Sequence, residues 1–128
     1  MDMLVTPAEQ GSGTLRSAMR AWTTGVAIVT AAHAGQKHGM TVSSFTSISL
    51  DPPLIVISLS IGSHTHELAR LAGTFGVTIL AASQQALSER FAGRQPADVD
   101  RLDGLQTETY VTGAPFIKGG LAFLDCKV

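Results

Sequence analysis

Residues 38–53 carry the side chains whose types and spacing have the clearest chemical meaning. Six hydroxyl groups lie within an otherwise apolar, strand-like run, on Thr41, Ser43, Ser44, Thr46, Ser47 and Ser49. Short side chains let an aromatic ring approach the backbone, and hydroxyls donate hydrogen bonds to ring carbonyls or phosphate oxygens. The run therefore indicates a surface for a flat, polar, partly charged ligand. The alternative is a solvated strand whose serines and threonines only cap turns.

The run is predicted to form one extended strand, in which alternate residues face opposite ways. One face would then present Thr41, Ser43, Phe45, Ser47 and Ser49. Gly39 lies before this row and the rigid turn Asp51-Pro52-Pro53 follows it. Both neighbours favour a specific site over a merely solvated strand.

A second set of candidates lies at two predicted helix ends. Ser63 and Thr65 mark a helix start, where free N–H groups and the helix dipole attract anions. Arg94 follows a second helix, so it could reach a phosphate while Phe91 packs under a ring. The alternatives are a helix start that binds nothing, and a helix C-cap followed by a solvated arginine.

Metal and nucleophile sites are not predicted. His64 and His66 diverge on a helix, and no further ligands follow at a recognisable spacing. Residues 98–104 differ from a calcium loop because their glycine comes one place late and Arg101 interrupts them. The sequence has no nucleophile elbow, no Walker-type loop and no carboxylate pair that suggests hydrolysis. No catalytic side chain is predicted, and any chemistry is assigned to a cofactor.

The first half of the chain is predicted to position the hydroxyl run in a hairpin. Thr14 caps a short helix to about Trp22, residues 26–31 form a strand, and residues 33–37 turn it back into the hydroxyl run. The segment 54–59 is continuously apolar, which predicts a central strand buried on both faces.

The second half alternates single short helices with strands. Ser63 or Thr65 caps a helix that ends at Gly73, and Ser83 caps another that reaches about Ala92. Predicted strands cover 74–80 and 121–128, with an irregular acidic stretch at 98–103. Strands outnumber helices, which favours a small antiparallel barrel decorated by helices over a doubly wound sheet.

Composition fits one globular domain of neutral character. The 128 residues are 45% hydrophobic, and nine basic against ten acidic residues give a net charge of −1. This balance argues against nucleic acid or a membrane surface as a partner.

Cys126 is the only cysteine and is expected to be a buried thiol. We expect a cytoplasmic protein with a mobile leader at 1–13 and one domain at 14–128.

The ordered set of motifs resembles the short-chain flavin reductase family, the reductase components of two-component flavin monooxygenases. The resemblance rests on residues 38–53 with supporting segments at 22–30, 91–93, 113–115 and 121–128. It implies an antiparallel, Greek-key split β-barrel that binds FMN or FAD, commonly as a homodimer with the flavin near the subunit interface.

The resemblance also implies roles for the candidate residues. Thr41, Val42, Ser43 and Ser44 would line the isoalloxazine ring, and Ser47 and Ser49 would lie toward the ribityl chain and phosphate. Ser63, Thr65 and Arg94 would be further phosphate candidates, with Phe91 and Ala92 completing the binding set. Many relatives carry asparagine where this chain has Ser43, and serine has a shorter reach.

Family members normally continue past the strand at 121–128 into a Gly-Asp-His motif and further barrel strands. We therefore expect the domain at 14–128 to be incomplete at its C-terminal side. The resemblance implies an NAD(P)H:flavin oxidoreductase that passes hydride from NADH or NADPH to FMN or FAD and supplies reduced flavin to a partner monooxygenase. Two alternatives stay open: a protein that retains FMN and carries electrons or senses redox state, and a non-catalytic truncated barrel.

Overall fold

The structure, a computed structural model, describes residues 13, 15–93 and 99–128. Its strands are β1 (Ala27–His33), β2 (Gln36–Val42), β3 (Thr46–Leu50), β4 (Pro53–Val56), β5 (Thr74–Ile79), β6 (Thr107–Glu108), β7 (Phe116–Ile117) and β8 (Ala122–Lys127). Its helices are α1 (His64–Ala72) and α2 (Gln85–Ala92), with a 3-10 turn at Ala82–Gln84 and a short helical segment at 15–19. The predicted class, mainly β with short helices, is confirmed.

Four strands form an antiparallel sheet in the order β2-β1-β5-β8. Val29 on β1 pairs with Met40 on β2 and with Val77 on β5, which fixes the register of the three strands. The turn from β1 to β2 has φ of 50° at Ala34 and 79° at Gly35, as a two-residue hairpin turn requires. The pairs β3–β4 and β6–β7 stand apart from this sheet, and the strands of the described residues do not close into a barrel.

Hydrophobic clusters cover both faces of β1. Ala27, Val29 and Ala31 point into one cluster, which α1 completes with Leu68 and Ala69. Ile28 points the other way, into a cluster that contains Phe91, Leu102 and Ile117. The alternation of side chains along a strand therefore makes β1 the strand that is buried on both sides.

The prediction of a central buried strand at 54–59 is wrong. Only residues 53–56 form a strand, and β4 pairs with β3 alone among the described strands. Leu54 and Val56 remain 50% and 49% exposed. A continuous apolar run shows that a segment has two apolar faces, but its place in a sheet depends on which distant strands pair with it.

The prediction of one continuous hydroxyl-bearing strand is also wrong. β2 ends at Val42 and β3 begins at Thr46, in a different sheet. Between them, Ser44 Oγ donates to the carbonyl of Ser58 at 2.9 Å and accepts from the Ser58 N–H at 3.1 Å. The Ser44 side chain thus takes the place of a backbone ladder partner and ends the strand pairing.

Both ends of α1 and the end of α2 at Ala92 follow the sequence, whereas the start of α2 departs from it. Ser63 is the N-cap of α1, with His66 N donating to its Oγ at 3.3 Å, and Gly73 ends the helix at a φ of 68°. Ser83 lies inside the 3-10 turn instead of capping α2, and the side-chain bond there runs from Ala81 N to Gln84 Oε1 at 2.9 Å. The predicted cap Thr14 and residues 1–12 of the predicted leader lie outside the described residues. Among the described residues, no helix has both the length and the apolar character needed to span a membrane.

Candidate functional site

The end of β2 carries the first group of predicted site residues. Thr41 Oγ1 donates to the carbonyl of Ser88 at 2.6 Å, which fastens β2 to α2. Val42 is buried in the first cluster, opposite Ala27 of β1. Ser43 is exposed just beyond the strand. Thr41 and Val42 therefore hold the strand end in place, and Ser43 presents its hydroxyl to solvent.

The start of α1 lies against the same strand. Ser63 Oγ donates to Met40 Sδ at 3.8 Å while it caps the helix. Thr65 is fully buried, and its Oγ1 lies 2.8 Å from His38 Nδ1. The structure thus brings Ser63 beside the predicted strand, as the sequence suggested. It gives the Thr65 hydroxyl a partner inside the fold, so this side chain joins two elements.

His38 is a buried histidine that is neutral at neutral pH. Burial, together with the nearby charges of Arg101 and His64, lowers the pKa of His38 to about 4. The His64 ring meets the His38 ring edge-on, with centroids 4.8 Å apart. No group of three or more His, Cys, Asp or Glu side chains among the described residues is arranged to hold a metal ion.

The end of α2 supports β2 from its other side. Phe91 is fully buried, and a Cβ added at Gly39 would lie 2.9 Å from Phe91 Cε1. The Phe91 ring therefore packs directly under the backbone of β2 and has no exposed surface on which a ligand ring could stack. Ala92 is exposed, and Arg94 lies outside the described residues.

Arg101 is the residue of this region that the sequence interpretation missed. Its Nη1 donates to the carbonyls of Gly39 at 3.1 Å and Phe91 at 2.7 Å, and its Nη2 donates to the carbonyl of Gly93. Burial lowers the pKa of the Arg101 guanidinium, although an arginine keeps its charge in proteins. The only local signal was a lone arginine beside the apolar Leu102, which does not reveal contacts with residues so distant along the chain.

The hydroxyls of β3 lie on two faces of the hairpin. Ser47 pairs with Ile55 and Ser49 pairs with Leu54, because the register shifts between the two serines. Neighbouring residues of β4 point to opposite faces, so their partners Ser47 and Ser49 also do. The predicted single row of Thr41, Ser43, Phe45, Ser47 and Ser49 is therefore wrong. Its physical cause is the strand break at 43–45 together with this bulge.

A groove of about 1120 Å³ is lined by three parts of the chain. These are residues 53–59, which include β4, together with α1 and β8. Its floor is apolar, with Ile55, Leu59, Phe75 and Leu124 among its lining residues. Cys126 also lines it and is half buried, and burial raises the pKa of its thiol. None of the predicted binding residues that the structure describes lines this groove. The site built around β2 and this groove are therefore separate features of the described residues.

Residues 19–128 match the family described as flavin reductase like domain. The chain belongs to this family. The resemblance stated from the motifs is thereby confirmed, and the split-barrel assignment of the fold agrees with the solved structures that the domain matches.

Curated relatives of this flavin reductase like domain resemble it in sequence, and solved structures resemble it in fold. The NADH-dependent flavin reductase StyB of Pseudomonas fluorescens is 40% identical over 88% of this chain and 64% of that protein. The NADH:FAD oxidoreductase SgcE6 of Streptomyces globisporus C-1027 superposes with a TM-score of 0.88, at 34% identity over 100% of this chain and 75% of that one. The styrene monooxygenase flavin reductase (SMOB) of Pseudomonas putida S12 gives a TM-score of 0.77, at 39% identity over 90% and 72%. The chain thus spans about two thirds of the length of StyB.

Proposed function

We propose that the protein is an NADH-dependent flavin reductase that reduces FMN or FAD and supplies the reduced flavin to a flavin-dependent monooxygenase. The observation that carries this proposal is the identity of 40% with a relative named NADH-dependent flavin reductase, over 88% of the chain. The relative SMOB, named as a styrene monooxygenase flavin reductase, supports the monooxygenase as the recipient.

The residues around β2 fit a flavin. Residues 43–45 belong to no strand ladder, so their backbone groups are not committed to a neighbouring strand. The small, exposed Ser43 leaves this backbone accessible to a flat ring with carbonyl acceptors. The capped start of α1 adjoins Met40 on the same strand and offers the partial positive charge that a phosphate requires.

A bound flavin supplies the hydride-accepting chemistry of this reaction. The residues of this chain bind and orient it. Thr41 and Val42 fix the strand end, and the exposed Ser43 offers a hydrogen bond at the ring. His38 does not act as a proton donor in this scheme, because it is buried, neutral at neutral pH and hydrogen-bonded to Thr65. The contribution of the protein is therefore proximity and orientation.

The test of this proposal is NADH oxidation by the purified protein, followed by absorbance, with and without FMN, FAD or riboflavin. We expect turnover only when free flavin is present. No turnover with any of the three flavins would overturn the proposal. A protein that elutes yellow, with near-stoichiometric flavin, and that oxidises no NADH would instead be an electron carrier or redox sensor.

We also propose a cytoplasmic homodimer. The β3–β4 hairpin exposes the large apolar side chains of Ile48, Leu50, Leu54 and Val56, and Leu50 is 89% exposed. Uncovered apolar surface of this kind is typical of protein interfaces. Sedimentation should show a dimer that Leu54→Lys weakens and Val111→Lys, an exposed change outside the hairpin, does not. A monomeric wild type would contradict the proposal. The cytoplasmic location rests on the proposed use of NADH as hydride donor.

A further inference from the structure

One guanidinium holds three backbone carbonyls that belong to two different elements. Arg101 binds the carbonyl of Gly39 on β2, and it binds the carbonyls of Phe91 and Gly93 at the end of α2. Arg101 itself lies in the turn at 99–104. Leu102 is buried in the second cluster, and its N–H donates to Asp100 Oδ1 at 2.9 Å, so this turn is anchored.

The contact between β2 and α2 needs a positive charge at this point. The last carbonyls of a helix have no partner within the helix and carry the negative end of its dipole. The carbonyls of Gly39 and Phe91 both accept from Arg101 Nη1, at 3.1 Å and 2.7 Å, so a strand carbonyl lies near these helix carbonyls. The fork of donors on an arginine satisfies several carbonyls at once, whereas a lysine offers a single point charge.

We infer that Arg101 is a positioning residue for the flavin site. It sets the placement of β2 relative to the end of α2, and Gly39 lies only two residues before Thr41 at the start of the candidate binding segment. Loss of these three hydrogen bonds releases the strand that leads to the exposed Ser43. This inference rests on the proposed flavin reductase function, because the site that it positions is the flavin site.

The experiment compares Arg101→Gln and Arg101→Lys with the control variant Arg90→Gln. Arg90 Nη2 donates to the carbonyl of Asp103 at 2.6 Å, so it ties α2 to the same turn without reaching β2. We expect Arg101→Gln to raise the flavin KM and the flavin Kd, measured by fluorescence titration, by about tenfold, as the loss of charged hydrogen bonds predicts. The KM for NADH stays at the wild-type value, Arg101→Lys restores part of the flavin affinity, and Arg90→Gln leaves it unchanged.

Three results would overturn the inference. The first is a lower thermal midpoint in Arg101→Gln with an unchanged flavin KM below that midpoint, since a merely structural role gives this pattern. The second is an equal rise in flavin KM in Arg90→Gln. If Arg101→Gln does not fold, the third result is a flavin Kd of Arg101→Lys that equals the wild-type value. If the wild type shows no turnover, the proposed function fails, and the flavin Kd values still decide whether Arg101 positions a flavin site.

Discussion

His38 Nδ1 and Thr65 Oγ1 lie 2.8 Å apart, and this buried hydrogen bond joins β2 to the first turn of α1. Replacement of Thr65 by valine keeps the volume but leaves the His38 ring nitrogen without its partner. We expect Thr65→Val to lower the free energy of unfolding by about 1 to 3 kcal/mol, the usual cost of a buried unsatisfied polar group. Urea unfolding measures this change. The matched control is Thr46→Val on the exposed hairpin, which should remain within about 0.5 kcal/mol of wild type.

Stability should also depend on pH through His38. Its pKa is about 4 in the folded protein against 6.5 for an unperturbed histidine, so the unfolded chain binds more protons between these values. The free energy of unfolding therefore decreases as pH falls from about 6.5 toward 4. Urea unfolding at a series of pH values measures this slope, and His38→Gln should flatten it.

A slope that persists in His38→Gln over this pH range would assign the effect to other groups. The contribution of Asp125 to the pH dependence must be distinguished from that of His38. Burial raises the pKa of Asp125, but hydrogen bonds from Thr112 and Val111 outweigh this and lower it overall. Its stabilising contribution is therefore lost only at the acidic end, as pH falls below the ordinary carboxyl range.

Gly39 is required by the close approach of β2 to Phe91. The added Cβ of Gly39→Ala would lie 2.9 Å from Phe91 Cε1 and 3.1 Å from Thr30 Cγ2. We expect this substitution to destabilise the protein by about 1 to 3 kcal/mol, as overpacking of a core does. Gly25→Ala is the control, because nothing lies within 4 Å of its added Cβ. The double variant Gly39→Ala/Phe91→Leu should recover part of the loss, and a fully additive double variant would contradict the packing argument.

The two serines of β3 should differ in their effect on flavin binding. Because the bulge places Ser47 and Ser49 on opposite faces, a ligand on one face contacts only one of them. We expect one of the variants Ser47→Ala and Ser49→Ala to weaken flavin binding by about 1 to 3 kcal/mol, and the other to change it by less than about 0.5 kcal/mol. Fluorescence titration of FMN measures both. Equal losses in the two variants would contradict the bulged register.

Local signals predicted the elements that local interactions determine. Ser63 and Gly73 bound α1 as expected, because an N-cap hydroxyl and a left-handed glycine act within a few residues of themselves. The turn predicted at 33–37 and the strand predicted at 121–128 correspond to the Ala34–Gly35 turn and to β8. The family motifs added the fold and the flavin, which no single element of this chain would reveal.

Long-range contacts account for what the sequence did not predict. The strand break after Val42 depends on the hydrogen bond from Ser44 to Ser58, which lies 14 residues away. The hydrogen bond from Arg101 to Gly39 joins residues that are 62 positions apart. Nothing in the spacing of Gly39 or Arg101 shows that they meet. The same limit explains the segment 54–59. Its apolar pattern indicated a strand, but it did not show that β4 pairs with β3 alone among the described strands.

The two-residue turn at Ala34–Gly35 has a kinetic consequence. β1 and β2 are neighbours along the chain, so their pairing closes a short loop at a small entropic cost. β5 and β8 pair through much longer loops and are expected to join later. The strand that leads to Ser43 is then among the first parts of the sheet to form during folding. The strand reaches its final position only when Arg101, in the second half of the chain, forms its hydrogen bonds to Gly39 and Phe91.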